Sequence, residues 1–137
     1  MSDHLNYHEA LIYVMVTMSA VDRNMTDEEL ARIGTVVRDL PVFHGFDPEG
    51  LVMVAQACGE QLSTDDGLSR VLNMVGAGLP GKLRETAYAV AVEVAAADLD
   101  IKQEELRFLS LLRDQLGLDK LTTAAIERGA RARYQMA

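Results

Sequence analysis

The sequence has one cysteine, no tryptophan and only three histidines among its 137 residues. A single cysteine, Cys58, excludes a disulfide framework, but a chain of this length can bury most of its apolar surface without one. With 49% hydrophobic residues and scattered charges, the composition excludes a disordered chain. We expect one domain over residues 1–137, with Cys58 as a buried structural thiol because no base or positive group stands near it in the sequence.

Long hydrophobic runs are also missing. The longest, residues 10–21, has twelve residues and includes Thr17 and Ser19, whereas a membrane-spanning helix needs about 20 apolar residues. The first nine residues contain no lysine or arginine, so they do not resemble a secretory signal. These features predict a cytoplasmic protein without a membrane span.

Positive charge is scarce, and the negative charge is concentrated in two places. The chain has 13 Lys and Arg against 21 Asp and Glu, a net charge of −8. Residues 22–29 and 98–105 together hold eight acids and two bases, so they account for six of the eight net negative charges. Nucleic-acid binding requires the opposite charge concentrated on one face. We therefore expect no nucleic-acid partner.

Helix signals occur along the whole chain, and strand signals are nearly absent. The pattern predicts an all-α, bundle-like domain of about seven short helices. The fourth helix is expected to follow a cap at Ser63-Thr64-Asp65 and to end near Val75, before Gly76. The other six are expected at about residues 8–21, 27–40, 48–62, 82–97, 103–116 and 119–133, with Gly117 and Asp119 as stop and start signals.

Two stretches of the chain match each other at an offset of 76 residues. Residues 8–40 and 84–116 each contain an apolar helix, a short acidic loop and an amphipathic helix. The coincident pairs include Val14/Val90, Ala20/Ala96, Asp22/Asp98, Glu28/Glu104, Glu29/Glu105 and Leu30/Leu106. We predict an internal duplication in which the two units superpose about a pseudo-twofold axis and bring Asp22 and Asp98 close together.

The two acidic loops have the spacing of an oxygen-ligand site. Asp22 and Asp98 follow helices whose carboxyl ends disfavour negative charge by a few tenths to about 1 kcal/mol. Each loop adds another oxygen donor two residues later and a glutamate seven residues later. The candidate ligands are Asp22, Asn24 and Glu29 in the first loop and Asp98, Asp100 and Glu105 in the second. Oxygen donors without cysteine or histidine favour a divalent calcium, magnesium or manganese ion, and no organic cofactor is indicated.

Helix capping explains part of the same pattern without a metal. Thr26-x-x-Glu29 has the form of a capping box, and Asp100-x-x-Gln103 can serve the same purpose in the second copy. Acidic residues are also favourable in the first turn of any helix. Capping of the outgoing helix does not, however, require Asp22 or Asp98, so metal binding and capping both remain open.

The repeated pattern Ala-x-Asp-x-x-(Met/Ile)-x-x-Glu-Glu resembles the TerB family of tellurite-resistance proteins and their relatives, over about residues 8–118. The resemblance implies an all-helical fold of about seven helices, two acidic metal-binding loops and a link to tellurite or chemical stress, without an established enzymatic activity. Where the family has a glycine in each loop, this sequence has Arg23 and Leu99. Arg23 can pair with the carboxylates of the first loop, so we expect the second loop to bind better.

The sequence therefore supports two hypotheses of function. The first is a cytoplasmic metal-binding stress protein of TerB type, not an enzyme, that acts by binding a divalent ion and possible stress-response partners. The alternative is an acidic helical module that docks a protein, with loops that only cap helices or hold a structural cation. No Ser-His-Asp, Cys-His or phosphate-loop pattern is present. His4 and His8, four residues apart, form a weaker zinc candidate and are expected to be solvated.

Overall fold

The computed structural model describes residues 4–20, 25–97 and 101–137 and shows seven α-helices in these ranges. They are α1 (Tyr7–Ala20), α2 (Asp27–Asp39), α3 (Leu51–Leu62), α4 (Gly67–Gly78), α5 (Arg84–Ala97), α6 (Gln103–Leu116) and α7 (Lys120–Tyr134). Short 3₁₀ turns cover Pro41–Phe43, Pro48–Gly50 and Gly81–Leu83. No strand occurs in the described ranges, so the expected all-α class is confirmed.

Helix α1 forms the centre of the domain. Its residues from Ala10 to Ser19 are all buried, as expected for a helix that is apolar on every side. It packs against α3, α4 and α5 and also contacts α2 and α6. Residues 10–19 of the apolar run that is too short to span a membrane therefore lie in a core helix. None of the helices in the described parts of the chain is long and apolar enough to cross a membrane.

Helix α5 is the second buried helix and connects the centre to the last helix. It packs on α1 along one side and on α7 along another, with α2 and α6 completing its surroundings. Val90, Ala91 and Val94 are nearly inaccessible to solvent. Helix α7, in contrast, buries only Thr123 and Ala130 fully, so most of its side chains are partly or fully exposed.

Helices α2 and α6 each cover the centre with one apolar face. Ile33 and Val37 on α2, and Phe108 and Leu112 on α6, are buried. Charged residues such as Arg38 and Arg107 are exposed on the same helices. The contacts are reciprocal, since α1 touches α6 while α5 touches α2. This pattern is compatible with paired helix units, but the internal duplication and its pseudo-twofold axis stay predictions.

The start and end of α4 differ from the sequence prediction. Helix α4 begins at Gly67, and its N-cap is Asp66, which has a positive φ of 58° and makes no side-chain cap hydrogen bond. A Cβ atom on Gly67 would lie 2.5 Å from two backbone carbonyl oxygens at the end of α3. The close approach of the two helices, which local capping signals do not report, therefore sets the start. The helix also continues through Gly76 to Gly78.

Candidate functional site

The first acidic segment leads into α2 through a complete capping box. The backbone N–H of Thr26 donates to Glu29 Oε1 at 2.8 Å, and the backbone N–H of Glu29 donates to Thr26 Oγ1 at 3.1 Å. The Thr26 hydroxyl also donates to the same carboxylate oxygen. Two amide groups that the helix leaves unpaired are thereby satisfied. The capping interpretation of Thr26 and Glu29 is confirmed.

The second acidic segment uses its glutamate in the same way, with a different cap residue. The N-cap of α6 is Lys102, whose backbone N–H donates to Glu105 Oε1 at 2.8 Å. Ile101 and Lys102 precede the helix. The expected box between Asp100 and Gln103 is therefore wrong, because the helix begins two residues later than that box requires. A lysine side chain has no acceptor, so only the glutamate side of the box forms here.

Of the six predicted metal ligands, only Glu29 and Glu105 belong to the described residues. Asp22, Asn24, Asp98 and Asp100 lie outside them, as do Arg23 and Leu99. Within residues 4–20, 25–97 and 101–137, no group of three or more His, Cys, Asp or Glu residues is arranged to hold a metal ion. The metal site and the proximity of Asp22 to Asp98 stay predictions.

The two described glutamates nevertheless suit a hard-cation site in their chemistry. Each carboxylate folds back from the first helical turn towards the residue three positions earlier, on the side where the chain enters the helix. Glu29 is half-buried and Glu105 is 8% exposed. A carboxylate offers about four lone-pair directions, so accepting an amide hydrogen bond is compatible with binding a cation. Carboxylate oxygens are ligands that calcium and magnesium prefer, and the choice of ion stays a prediction.

Helices α2, α5 and α7 line one groove in the described parts of the chain. Arg32 and Asp39 on α2 belong to its lining, as do Thr86 and Glu93 on α5.

His8, one of the two residues of the weaker zinc candidate, has a structural role. Its Nε2 atom lies 2.9 Å from the backbone carbonyl oxygen of Val42 and donates a hydrogen bond to it. The imidazole also packs against the rings of Phe43 and Phe46, with centroid distances of 5.7 Å and 5.6 Å. His8 is therefore not simply solvated; it holds the Pro41–Phe43 turn against α1. The sequence contained no signal for this contact across 34 residues.

Cys58 is a buried thiol, as predicted. It is inaccessible to solvent, its Sγ lies 3.5 Å from Thr17 Oγ1, and it donates to the carbonyl oxygen of Tyr13 at 3.8 Å. Burial raises the pKa of the Cys58 thiol to about 11, and the Thr17 hydrogen bond offsets part of this rise. A protonated, inaccessible thiol is a poor nucleophile, so Cys58 contributes to packing.

Sequence reasoning missed one charged cluster, at the junction of α2, α5 and α7. The carboxylate of Glu93 accepts hydrogen bonds from the guanidinium of Arg133 and the hydroxyl of Tyr134. Arg32 lies near enough to lower the pKa of Tyr134, although the Glu93 hydrogen bond and burial raise it overall. Glu93 is separated from Arg133 by 40 positions and from Tyr134 by 41, and no local pattern connects them.

Comparison with known proteins agrees with the fold and with the repeated acidic pattern. The family model described as tellurite resistance protein TerB matches residues 8–128. Neither the curated proteins nor the solved structures gave a match to this chain. The matched region extends from α1 into α7 and includes both acidic segments. Because the match covers nearly the whole chain, this protein belongs to the TerB family of tellurite resistance proteins.

Proposed function

We propose that this protein is a tellurite-resistance-type domain that acts in the cytoplasm by binding a divalent cation through its two acidic loops, and not by catalysis. The observation that carries the proposal is the repeated placement of a first-turn glutamate. Glu29 and Glu105 both fold back to the entrance of their helix, next to the loop that supplies the other proposed ligands. Two acidic segments that hold most of the net charge, and whose glutamates make the same hydrogen bond, favour a shared ligand.

The proposed ligands are Asp98, Asp100 and Glu105 in the second loop and Asp22, Asn24 and Glu29 in the first. The second loop supplies three charged donors, whereas the first supplies two and carries a nearby arginine in its sequence. When bound, a hard cation would neutralise the repulsion among these carboxylates. The bound ion would then regulate contact with stress-response partners, because it changes the charge of the surface that they meet.

Thermal unfolding with and without calcium tests this proposal. If the dissociation constant is on the order of 1 mM, calcium at about 10 mM should stabilise the protein by about 1.4 kcal/mol. This stabilisation should vanish in Asp98→Asn and largely survive in Asp22→Asn. Asp65→Asn is a matched control, since it removes one exposed acidic charge between α3 and α4. Magnesium, manganese and zinc titrations identify the preferred ion.

The alternative function is an acidic interaction module, and the capping geometry favours it. Glu29 and Glu105 already have a structural use, as hydrogen-bond acceptors for the chain entering α2 and α6. If no divalent ion changes the unfolding temperature of the wild type, the loops serve only to cap the helices that follow them. The acidic residues would then bind a basic protein surface. The site is also ruled out if Asp65→Asn loses as much calcium stabilisation as Asp98→Asn. Calcium would then stabilise the protein only by screening its negative charge.

A further inference from the structure

We propose that the groove between α2, α5 and α7 binds a medium-chain aliphatic carboxylate. The groove has a volume of ≈ 770 Å³, within the range of about 300–1,000 Å³ that is typical of small-molecule pockets. Its lining includes small and aliphatic side chains, among them Val36, Leu40, Ala89, Val90 and Ile126. No role proposed above for the acidic loops involves this groove.

A cluster of charged side chains in the groove identifies the head group of the ligand. Arg133 and Glu93 pair with each other, and the Tyr134 hydroxyl also donates to Glu93. Arg32 lies close enough to act on the pKa of Tyr134, is half-buried and makes no hydrogen bond or ion pair with any residue in the described ranges. A partly desolvated guanidinium is stabilised by an anion, and its fork of N–H donors matches a carboxylate. One unpaired positive charge favours a monoanion.

The remaining lining of the groove identifies the tail of the ligand. An aliphatic wall with few polar groups favours a hydrocarbon chain. Arg32 and Asp39 are seven residues apart on α2, which corresponds to about 10 Å along the helix axis and to an extended chain of about eight to ten carbons. Asp39 also lines the groove and is exposed. Its carboxylate would repel a second negative charge there, so a dicarboxylate of the same length should bind worse.

Calorimetric titration with decanoate, below its micelle concentration and in the presence of a chelator, tests the site independently of the metal proposal. Loss of a charge-assisted hydrogen bond should weaken decanoate binding about tenfold or more in Arg32→Gln. Arg38→Gln is the matched control, because Arg38 lies on the same helix, contacts Thr35 and does not line the groove. Decanol and decanedioate should bind the wild type more weakly than decanoate.

A second variant tests the tail without altering charge. Ala125 is exposed on α7 and lines the groove, so Ala125→Phe should fill the groove and abolish decanoate binding while the fold is kept. The proposal is overturned if decanoate does not bind, or if it binds Arg32→Gln and Ala125→Phe as well as the wild type. It is also overturned if the free protein is a dimer that Ala125→Phe dissociates, since a second copy would then occupy the groove.

Discussion

Replacing Tyr88 with phenylalanine should loosen α7 from the domain. The Tyr88 hydroxyl, on α5, donates to Glu127 Oε2, on α7, at 2.6 Å. Tyr88 is 2% exposed, and α7 has few buried side chains of its own. A hydrogen bond to a charged group contributes about 1.5–3 kcal/mol. Because Glu127 is only half-buried, we expect the lower part of this range, about 1.5–2 kcal/mol.

This loss corresponds to a fall in melting temperature of about 5–7 °C for a domain of this size. Urea unfolding followed by far-ultraviolet circular dichroism should show a lower midpoint with an unchanged slope. Tyr7→Phe is the matched control, since Tyr7 is 39% exposed and its hydroxyl has no hydrogen-bond partner among the described residues. A Tyr88→Phe variant within about 0.5 kcal/mol of the wild type would refute the reasoning.

The pH dependence provides a second measurement on the same pair. Burial, the hydrogen bond to Glu127 and the Glu127 charge all raise the pKa of Tyr88. Its stabilising contribution is therefore complete below the unfolded-state pKa of about 10 and is lost as the pH rises above it. Phenylalanine does not titrate, so the stability difference between wild type and Tyr88→Phe should narrow above about pH 10. A constant difference would show that Tyr88 ionises equally in both states.

Three further substitutions and one thiol reaction probe other parts of the fold. Gly59→Ala should raise the unfolding free energy by about 0.5–1 kcal/mol, because Gly59 lies in α3 and no atom lies within 4 Å of the added Cβ. Gly67→Ala should lower the unfolding free energy, because the added Cβ would lie 2.5 Å from two backbone carbonyl oxygens. Thr26→Ala should cost about 1 kcal/mol through loss of the α2 cap. Calorimetry measures all three. The pKa of the Cys58 thiol is raised to about 11, so the thiol should react with a thiol reagent only when the protein unfolds. The stability that the protonated thiol contributes should be lost as the pH rises from about 9 to 11.

The candidate site was predictable from the sequence only in part. The spacing of Thr26 and Glu29 indicated a capping box, and the box forms. At the second copy, the same reasoning chose Asp100 as the cap, whereas Lys102 holds that position. The pattern of residue types suits a cap at either position, and it does not decide at which residue the helix begins. Whether the six proposed ligands converge is a question of tertiary placement, which residue spacing does not decide.

The sequence by itself determined the helices, their apolar faces and most of their ends. Gly117 at positive φ ends α6 and the Asp119 side chain caps α7, as their local patterns predict, because caps involve groups within a few residues of each other. Only the tertiary structure decided which distant side chains meet. His8 reaches Val42, Tyr88 reaches Glu127, and a groove forms where α2, α5 and α7 pack together. Helix packing buries apolar faces non-directionally, so the polar contacts at their edges follow from the final arrangement of the helices and not from any local pattern.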